Sequence, residues 1–363
     1  MKIIKLATVF SLLLMYGCNA QDLKTFESTD EHFNYSGRFE YLQEGGVGLI
    51  GSAAYVEFIV EGDVLNIRLQ SESAARNYYV LRINDAIHKR SVIKGDTVQT
   101  IAVKLPHKGK HTIGIYKATE AFNDKIIFHG IEAKSLMASE KKPFTIEFIG
   151  DSITCGALSD ASEMPCIEGA YQDHHNAYMA YGPVMARELN ADVLLSCVSG
   201  IGMYRNWNDE HIDEPIMPQV YDNLYLNTDA SKPFNASYQP DITSICLGTN
   251  DMSSGDGTKE RLVFNSEKFT ENYIAFVEHI YAQHPKTKVI LLNSPMVEAQ
   301  QKKTLMACLK KVHTYFKNHH NKTITIVEFD KIYANGCSAH PSVSDHKAMA
   351  EALLPDFKSL LQQ

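Results

Sequence analysis

A chain of 363 residues is long enough for two or three domains, and its 44% hydrophobic and 21% charged residues are ordinary for a globular protein in water. The formal net charge of −8 and the pI near 6.0, with Lys and Arg scattered along the chain, provide no basic surface, so we predict no nucleic-acid partner. Beyond the N-terminus, no apolar run is long enough to span a membrane.

The first 18 residues have the pattern of an export signal. Two lysines precede an apolar stretch, Leu6 to Tyr16, that is too short to cross a membrane, and Gly17-Cys18 follows it. A small residue directly before a cysteine is typical of bacterial lipoproteins, in which that cysteine is lipidated. We therefore predict that residues 1–18 are a lipoprotein-type signal region, with export to the cell envelope and a lipid anchor at Cys18. Ordinary cleavage nearby, giving a secreted protein, is the alternative.

Between residues 22 and 137 the chain is typical of β structure. Short segments rich in β-branched and aromatic residues recur there, namely Ala54–Val60, Val64–Leu69, Tyr78–Ile83 and His111–Tyr116. Turn-forming residues follow such segments at Asn84-Asp85, Lys94–Asp96 and His107–Gly109. Short strands at regular spacing predict a β-sandwich of jelly-roll type, which we place at residues 22–137.

The pattern changes after the polar stretch Ser139–Pro143. Apolar strand-like segments now alternate with amphipathic helical ones. The predicted strands are Phe144–Ile149, Val193–Val198, Ile242–Leu247, Lys288–Leu292 and Thr323–Phe329, and the clearest helices are Glu267–His284, Glu298–Asn318 and Ser342–Leu361. This alternation predicts a second domain at residues 143–363, an α/β fold with a five-stranded parallel sheet flanked by helices.

Four short motifs follow these strands at their carboxyl ends, where ligand sites lie in open α/β sheets. Gly150-Asp151-Ser152 follows the first strand, Ser199–Gly202 the second and Gly248–Asp251 the third, and His340-Pro341 comes after the fifth. Each motif alone is compatible with a tight turn or a helix cap. Together they provide a serine hydroxyl, a histidine base, an Asn amide and glycine N–H groups, which are the parts that acyl transfer needs.

These residues resemble the four conserved blocks of SGNH (GDSL) hydrolases. The longer segments Phe148–Gly156, Ser199–Asn206 and Gly336–Val343 are similar to those of carbohydrate esterase family 2, which also has a jelly roll ahead of the SGNH domain. The resemblance implies that Ser152 is the nucleophile and His340 the base. It also implies an oxyanion hole made by the Ser152 N–H, the Gly200 N–H and the Asn250 amide, with Gly202 as the alternative to Gly200.

The same resemblance implies a substrate and no cofactor. Members of family 2 remove acetyl groups from plant cell-wall polysaccharides, so we expect an acetylated carbohydrate such as xylan or glucomannan as the partner. Tyr204 and Trp207 follow the oxyanion glycine and would either stack on a sugar ring or pack in the protein. Action on non-carbohydrate esters, as by a lipase or thioesterase, is one alternative function, and a catalytically dead carbohydrate-binding surface lipoprotein is another.

One position departs from the SGNH pattern. An Asp usually lies three residues before the catalytic His and orients its ring, but here Cys337 occupies that position. Family 2 resembles this sequence in lacking the Asp, which implies a Ser-His dyad with a backbone carbonyl holding the ring. Asp345 is the alternative for this role.

The cysteines and the paired histidines complete the predictions. Cys155 and Cys337 are expected to be near one another, either as packing thiols or as a disulfide, and Cys197 and Cys246 are predicted to be buried free thiols. No cysteine spacing matches a zinc site, so we predict no metal. His174-His175 and His319-His320 are predicted to be solvated.

Overall fold

The computed structural model describes residues 23–72, 76–234 and 239–362, so the export signal and Cys18 lie outside the described residues. The N-terminal part forms an antiparallel sheet of ten strands. These are β1 (Lys24–Glu27), β2 (Asn34–Ser36), β3 (Phe39–Tyr41), β4 (Val47–Leu49), β5 (Tyr55–Ser71), β6 (Arg76–Ile83), β7 (Ala86–Lys94), β8 (Gln99–Lys117), β9 (Ile126–Ala133) and β10 (Leu136–Met137).

The centre of this sheet consists of two long strands. The order is β3-β4-β9-β5-β8-β6-β7, with β1 paired to β9 and with β2 and β10 paired to β5. The two segments predicted as Ala54–Val60 and Val64–Leu69 are one strand, β5, with a register shift between Gly62 and Val64. The turn predicted at His107–Gly109 is wrong, because these residues continue β8 and Gly109 pairs with Gly62 across the ladder.

The C-terminal part is a parallel sheet with helices. Its strands are β11 (Phe144–Gly150), β12 (Ala191–Cys197), β13 (Ile242–Cys246), β14 (Lys288–Leu292) and β15 (Thr325–Val327), in the order β12-β11-β13-β14-β15. The helices are α1 (Ser152–Cys155), α2 (Tyr181–Glu188), α3 (Met217–Val220), α4 (Ser266–Gln283), α5 (Ala299–His319) and α6 (Val343–Leu361). The predicted two-part fold class is therefore confirmed, and each of the five predicted parallel strands is present within two residues of its expected ends.

The two parts share a hydrophobic core. Tyr55, Tyr78 and Tyr116 of the antiparallel sheet belong to one buried cluster with Phe148 and Tyr181 of the α/β part. Because side chains from both sheets fill this cluster, the N-terminal part packs closely against the α/β part rather than hanging from it.

A buried arginine also crosses between the two parts. Arg38, which follows β2, is fully buried and donates to the Ser196 hydroxyl and to the Tyr221 carbonyl, each at 2.9 Å. Ser196 donates in turn to the Glu147 carboxylate at 2.6 Å, so the cation and the anion share one hydrogen-bonded chain. A buried charge is tolerated only with such partners, and these hydrogen bonds join the N-terminal part to the α/β part.

Two disulfides correct the cysteine predictions. Cys155 pairs with Cys197, and Cys166 pairs with Cys337. Cys197 is thus not free, because Gly150 and Cys197 are register partners and α1, which ends at Cys155, begins two residues after Gly150. The prediction for Cys246 is confirmed, since it is a buried free thiol.

Among the residues that the structure describes, no helix is both long enough and apolar enough to cross a membrane.

Candidate active site

Ser152 is the first residue of α1, directly after the tight turn that follows β11. Asp151 caps the helix, because its Oδ1 accepts a hydrogen bond from the Ile153 N–H at 3.0 Å. A Cβ on Gly150 would lie 2.0 Å from the Thr154 hydroxyl oxygen, so this tight turn requires glycine there. The turn places the Ser152 hydroxyl at the carboxyl edge of the sheet, and the residue is 7% exposed.

His340 contacts Ser152, although the two residues lie far apart in the sequence. Its Nε2 lies 3.0 Å from the Ser152 Oγ, across 188 residues of sequence. Its Nδ1 lies 3.2 Å from the carbonyl oxygen of Ser338, which can only accept a hydrogen bond. This contact assigns the proton to Nδ1 and leaves Nε2 to accept the serine proton. A backbone carbonyl therefore holds the ring.

The loop before His340 has an unusual backbone. Ser338 and Ala339 have φ values of 48° and 58°, in the left-handed region that costs energy for residues with a side chain. The disulfide between Cys166 and Cys337 anchors this loop, and the Gly336 N–H donates to the His340 carbonyl at 2.7 Å. Cys337, at the position where an Asp is usual, thus acts on His340 only through the backbone.

Asp345 does not contact His340. Its carboxylate caps α6, accepting from the Ser342 N–H at 3.0 Å and from the Asn335 N–H at 2.9 Å. The alternative in which Asp345 orients the imidazole is therefore not supported.

Burial is the largest influence on the base. It lowers the pKa of His340 below the ordinary value of 6.5. The Ser338 carbonyl and the Glu120 charge raise this pKa, and the nearby His175 lowers it. The net direction is downward, so the imidazole is neutral at neutral pH and can accept a proton.

Gly200 and Asn250 lie on either side of the serine loop. Gly200 has a φ of 79°, and its carbonyl accepts from the Trp207 N–H at 2.8 Å. The Asn250 side-chain amide donates to the Ile201 carbonyl at 2.9 Å, while its contact to Asp151 is long at 3.3 Å. The first bond orients the amide, and the second is weak enough to be exchanged for a better acceptor.

The structure distinguishes between the two oxyanion glycines. The Gly202 N–H donates to the Asn206 side chain at 3.0 Å, so it is already used within its own loop. Gly202 has a packing role, because a Cβ there would lie 2.0 Å from the Arg205 carbonyl oxygen. Gly200 therefore remains the candidate donor.

Asp251 is a buried residue that sequence reasoning did not single out. Its carboxylate accepts from the N–H groups of Met203, Tyr204 and Arg205 at 2.8 to 3.3 Å. Burial nevertheless raises its pKa to about 6. Its position directly after Asn250 was the available signal, and the contacts show that it holds the loop that follows Gly200.

The two residues proposed for sugar stacking lie in different surroundings. Tyr204 is 4% exposed and packs against Phe264 and Phe269, so its ring is not available to a ligand. Trp207 is 45% exposed and is hydrogen-bonded through its backbone to Gly200. The packing alternative thus applies to Tyr204, and only Trp207 remains a candidate for substrate contact.

Two further exposed aromatic side chains lie close to the Ser199–Gly200 segment. Tyr171 donates from its hydroxyl to the Ser199 Oγ at 2.8 Å, and its ring is near-parallel to that of Phe122, with centroids 6.4 Å apart. Phe122 is 56% exposed. Sequence reasoning missed both, because neither is near a recognisable motif.

The histidine predictions are half right. His319 and His320 are exposed, as predicted. His174 and His175 are buried, so the prediction that they are solvated is wrong. The His175 Nε2 lies 3.0 Å from the Glu120 carboxylate. The reason is that this segment is covered by the N-terminal sheet, since the Ala177 N–H donates to the Ala118 carbonyl at 3.0 Å.

The fold and this arrangement define a class of protein, namely a carboxylic ester hydrolase built on an open parallel sheet. Two family models match the chain: "Carbohydrate esterase 2 N-terminal" at residues 35–143 and "GDSL-like Lipase/Acylhydrolase family" at residues 148–353. The second covers more than half of the sequence. The chain belongs to the GDSL-like lipase/acylhydrolase family, and its resemblance to carbohydrate esterase family 2 is confirmed.

Individual relatives agree with this assignment. An acetylxylan esterase / glucomannan deacetylase of Cellvibrio japonicus is 27% identical over 312 residues, which are 83% of this chain and 82% of that protein. The structure of a family two carbohydrate esterase from Cellvibrio japonicus matches with a TM-score of 0.81 at 23% identity, covering 94% of this chain and 98% of that one. One from Clostridium thermocellum, in complex with cellohexaose, matches with a TM-score of 0.80 at 24% identity, covering 91% and 99%. At these sequence identities the structural matches show similarity of fold alone.

Proposed function

We propose that this protein removes O-acetyl groups from plant cell-wall polysaccharides or their oligosaccharides, such as xylan or glucomannan, through a Ser-His dyad and an acyl-enzyme. The observation that carries the proposal is the 3.0 Å contact between the Ser152 Oγ and the His340 Nε2 at the carboxyl edge of the sheet. The N-terminal match to carbohydrate esterase 2 and the names of the relatives support an acetylated carbohydrate as the substrate.

In the first half-reaction, the Ser152 Oγ attacks the acetyl carbonyl carbon while His340 Nε2 takes the hydroxyl proton. The resulting oxyanion accepts hydrogen bonds from the Ser152 N–H, the Gly200 N–H and the Asn250 amide. Collapse breaks the bond to the sugar oxygen, which takes the proton from His340 and leaves as a hydroxyl. Acetylated Ser152 remains.

In the second half-reaction, a water molecule attacks the acetyl group and gives its proton to His340. The same donors stabilise the second oxyanion. Its collapse returns the proton from His340 to Ser152 and releases acetic acid, which ionises to acetate in water. The Ser338 carbonyl keeps the Nδ1 proton in place throughout, because it accepts that hydrogen bond in both protonation states of the ring.

The exposed aromatic side chains suit a sugar ring. Trp207, Tyr171 and Phe122 lie beside the Ser199–Gly200 segment or contact it, and we place the pyranose that carries the acetyl group against them. For export and for a lipid anchor at Cys18, the support is the sequence pattern of residues 1–18.

Release of acetate tests the proposed function. We expect the protein to release acetate from acetylated xylan and acetylated glucomannan, and to hydrolyse 4-nitrophenyl acetate much faster than 4-nitrophenyl palmitate. Enzyme-coupled acetate detection measures the first reaction, and absorbance measures the second. Preference for the long-chain ester, with no acetate from either polysaccharide, would contradict the proposal and favour a lipase-like activity.

The pH dependence tests the base. We expect kcat/KM to fall as pH decreases, with a midpoint below 6.5, because burial lowers the pKa of His340 and only the neutral ring can accept the serine proton. The rate of 4-nitrophenyl acetate hydrolysis across the acid range measures this midpoint.

A control separates His340 from its titrating neighbour Asp151. Burial raises the pKa of Asp151 to about 7, so this group also changes charge near neutrality. In Asp151→Asn, which keeps a capping side chain, the midpoint should stay below 6.5. A midpoint that disappears in this variant would assign the acid limb to Asp151 instead.

A further inference from the structure

A carboxylate of the N-terminal part lies inside the candidate active site. Glu120 follows β8 and precedes the one-turn helix Ala121–Asn123. The Glu120 residue is only 1% exposed. Its neighbours in the sequence all belong to the N-terminal part, so residues of the α/β part reach it only through the packing of the two parts. A buried carboxylate is costly unless donors compensate it, so its partners indicate what it does.

Both hydrogen-bond donors of Ser199 end on this one carboxylate. The Ser199 N–H donates to Glu120 Oε2 at 2.8 Å, and the Ser199 hydroxyl donates to Oε1. The Tyr171 hydroxyl donates to the Ser199 Oγ at 2.8 Å. Hydrogen bonds to an ionised acceptor are stronger than neutral ones, and two of them to one residue fix its orientation.

The next residue along the chain is the candidate oxyanion donor Gly200. Its N–H belongs to the peptide that begins at Ser199, and its carbonyl is held by the Trp207 N–H at 2.8 Å. The segment is thus fixed on both sides of a glycine that is itself flexible, with a φ of 79°. An oxyanion donor is effective only when it points at the place where the charge develops.

We propose that Glu120 is a positioning residue that fixes the Ser199–Gly200 segment for oxyanion stabilisation, so that the N-terminal domain is part of the catalytic apparatus. The proposal rests on the ester-hydrolysis mechanism given above. It assigns to the N-terminal domain a role in turnover that does not require this domain to bind glycan.

The charge of Glu120 also reaches the base. It raises the pKa of His340, opposing burial and the nearby His175. The other titratable groups around Glu120 are Tyr171, His175 and Lys117, whose Nζ donates to the Glu120 carbonyl. In a dyad without the usual Asp, a buried anion of this kind favours the imidazolium that forms during attack.

The test is Glu120→Gln, assayed with 4-nitrophenyl acetate. We expect kcat to fall about 10- to 100-fold with KM within about twofold, because the two Ser199 donors use different carboxylate oxygens and the NH2 group that replaces one of them cannot accept a hydrogen bond. The acid midpoint of kcat/KM should also move to lower pH, since the anion that raises the pKa of His340 is gone. A purely structural role would not move that midpoint.

Two further variants keep the proposal open to failure. Glu120→Asp retains the charge but is one methylene too short to reach Ser199, so kcat should fall while the acid midpoint moves less. Ser199→Ala removes one of the two bonds, and its effect should not add to that of Glu120→Gln. Wild-type kcat in both Glu120→Asp and Ser199→Ala would overturn the proposal even if Glu120→Gln failed to fold.

Glu40→Gln is the matched control. Glu40 is another carboxylate of the N-terminal sheet that contacts the α/β part, accepting from the Tyr225 hydroxyl at 2.6 Å, and it has no contact with Ser199. Its substitution should leave kcat unchanged. An equal loss in Glu40→Gln and Glu120→Gln would assign the effect to the domain junction. Suppose that Ser152→Ala abolishes turnover while Glu120→Gln keeps wild-type turnover. That result would overturn the positioning role of Glu120 and leave the proposed function standing.

Discussion

Ser152→Ala is expected to lower kcat by at least about 10⁴-fold while leaving the fold intact. The Ser152 Oγ is the atom that forms the bond to the acetyl group, and alanine has no atom to replace it. Its N–H remains as an oxyanion donor, so the small residual rate would come from water attacking a bound ester. Acetate release and 4-nitrophenyl acetate hydrolysis both measure the loss.

Three companion measurements make this result specific. Ser244→Ala, a buried serine in the neighbouring strand β13, should retain wild-type activity. His340→Ala should lose about as much as Ser152→Ala, and the double variant should lose no more, because the two residues act as a unit. Rapid quenching of the wild type with 4-nitrophenyl acetate should trap an acetyl group on the peptide that carries Ser152. Substantial turnover by Ser152→Ala would mean that another residue is the nucleophile.

The parallel sheet was predictable because its strands are buried on both faces. Segments such as Lys288–Leu292 and Ile242–Cys246 are short apolar runs bounded by polar residues, and this pattern depends on local sequence alone. The alternating helices were predictable for the same reason, since their apolar faces repeat at helical spacing.

The antiparallel sheet was less predictable in its details. Gly109 and Gly62 are typical turn residues, yet they face each other in the middle of the long pair β5 and β8. Their flexibility accommodates a bulge there rather than a chain reversal. Whether a glycine ends a strand or bends it depends on the partner strand, and the local sequence does not contain that information.

In the candidate site, too, the residues that follow strands of the parallel sheet were predictable, and the residue contributed by the antiparallel sheet was not. Ser152, Gly200, Asn250 and His340 each follow a strand, so the topology of a parallel sheet brings them to one edge, and sequence reasoning could group them. Glu120 comes from the other sheet and reaches Ser199 across 79 residues of sequence.

No sequence motif predicts such contacts between the two sheets. The burial of His175 and the position of Glu120 both depend on how the two parts of the chain dock. The pairing of Cys166 with Cys337 depends on how loops far apart in the sequence pack within the α/β part. The resemblance supplied the roles of the motif residues, and the packing of the two sheets supplies what supports them.

Asn250→Ala is expected to lower kcat by about 10² to 10³-fold, equivalent to about 2.7–4 kcal/mol of transition-state stabilisation, with little change in KM. The amide is already oriented by its 2.9 Å bond to the Ile201 carbonyl, so it can stabilise the developing oxyanion without being reordered. Steady-state kinetics on 4-nitrophenyl acetate separates kcat from KM, and a thermal melt measures any loss of stability.

Asn293→Ala is the matched control for this prediction. Asn293 is a buried asparagine at the carboxyl end of β14, the strand next to the one before Asn250, and its side chain accepts from the Phe329 N–H at 2.6 Å. Its loss should lower the melting temperature, because the Phe329 N–H is left without its acceptor, but should change kcat by only a few-fold. If the two alanine variants lost kcat equally, buried asparagines at this edge would act through structure alone. A loss confined to Asn250→Ala would place its amide on the oxyanion, because only the transition state would then distinguish the two residues.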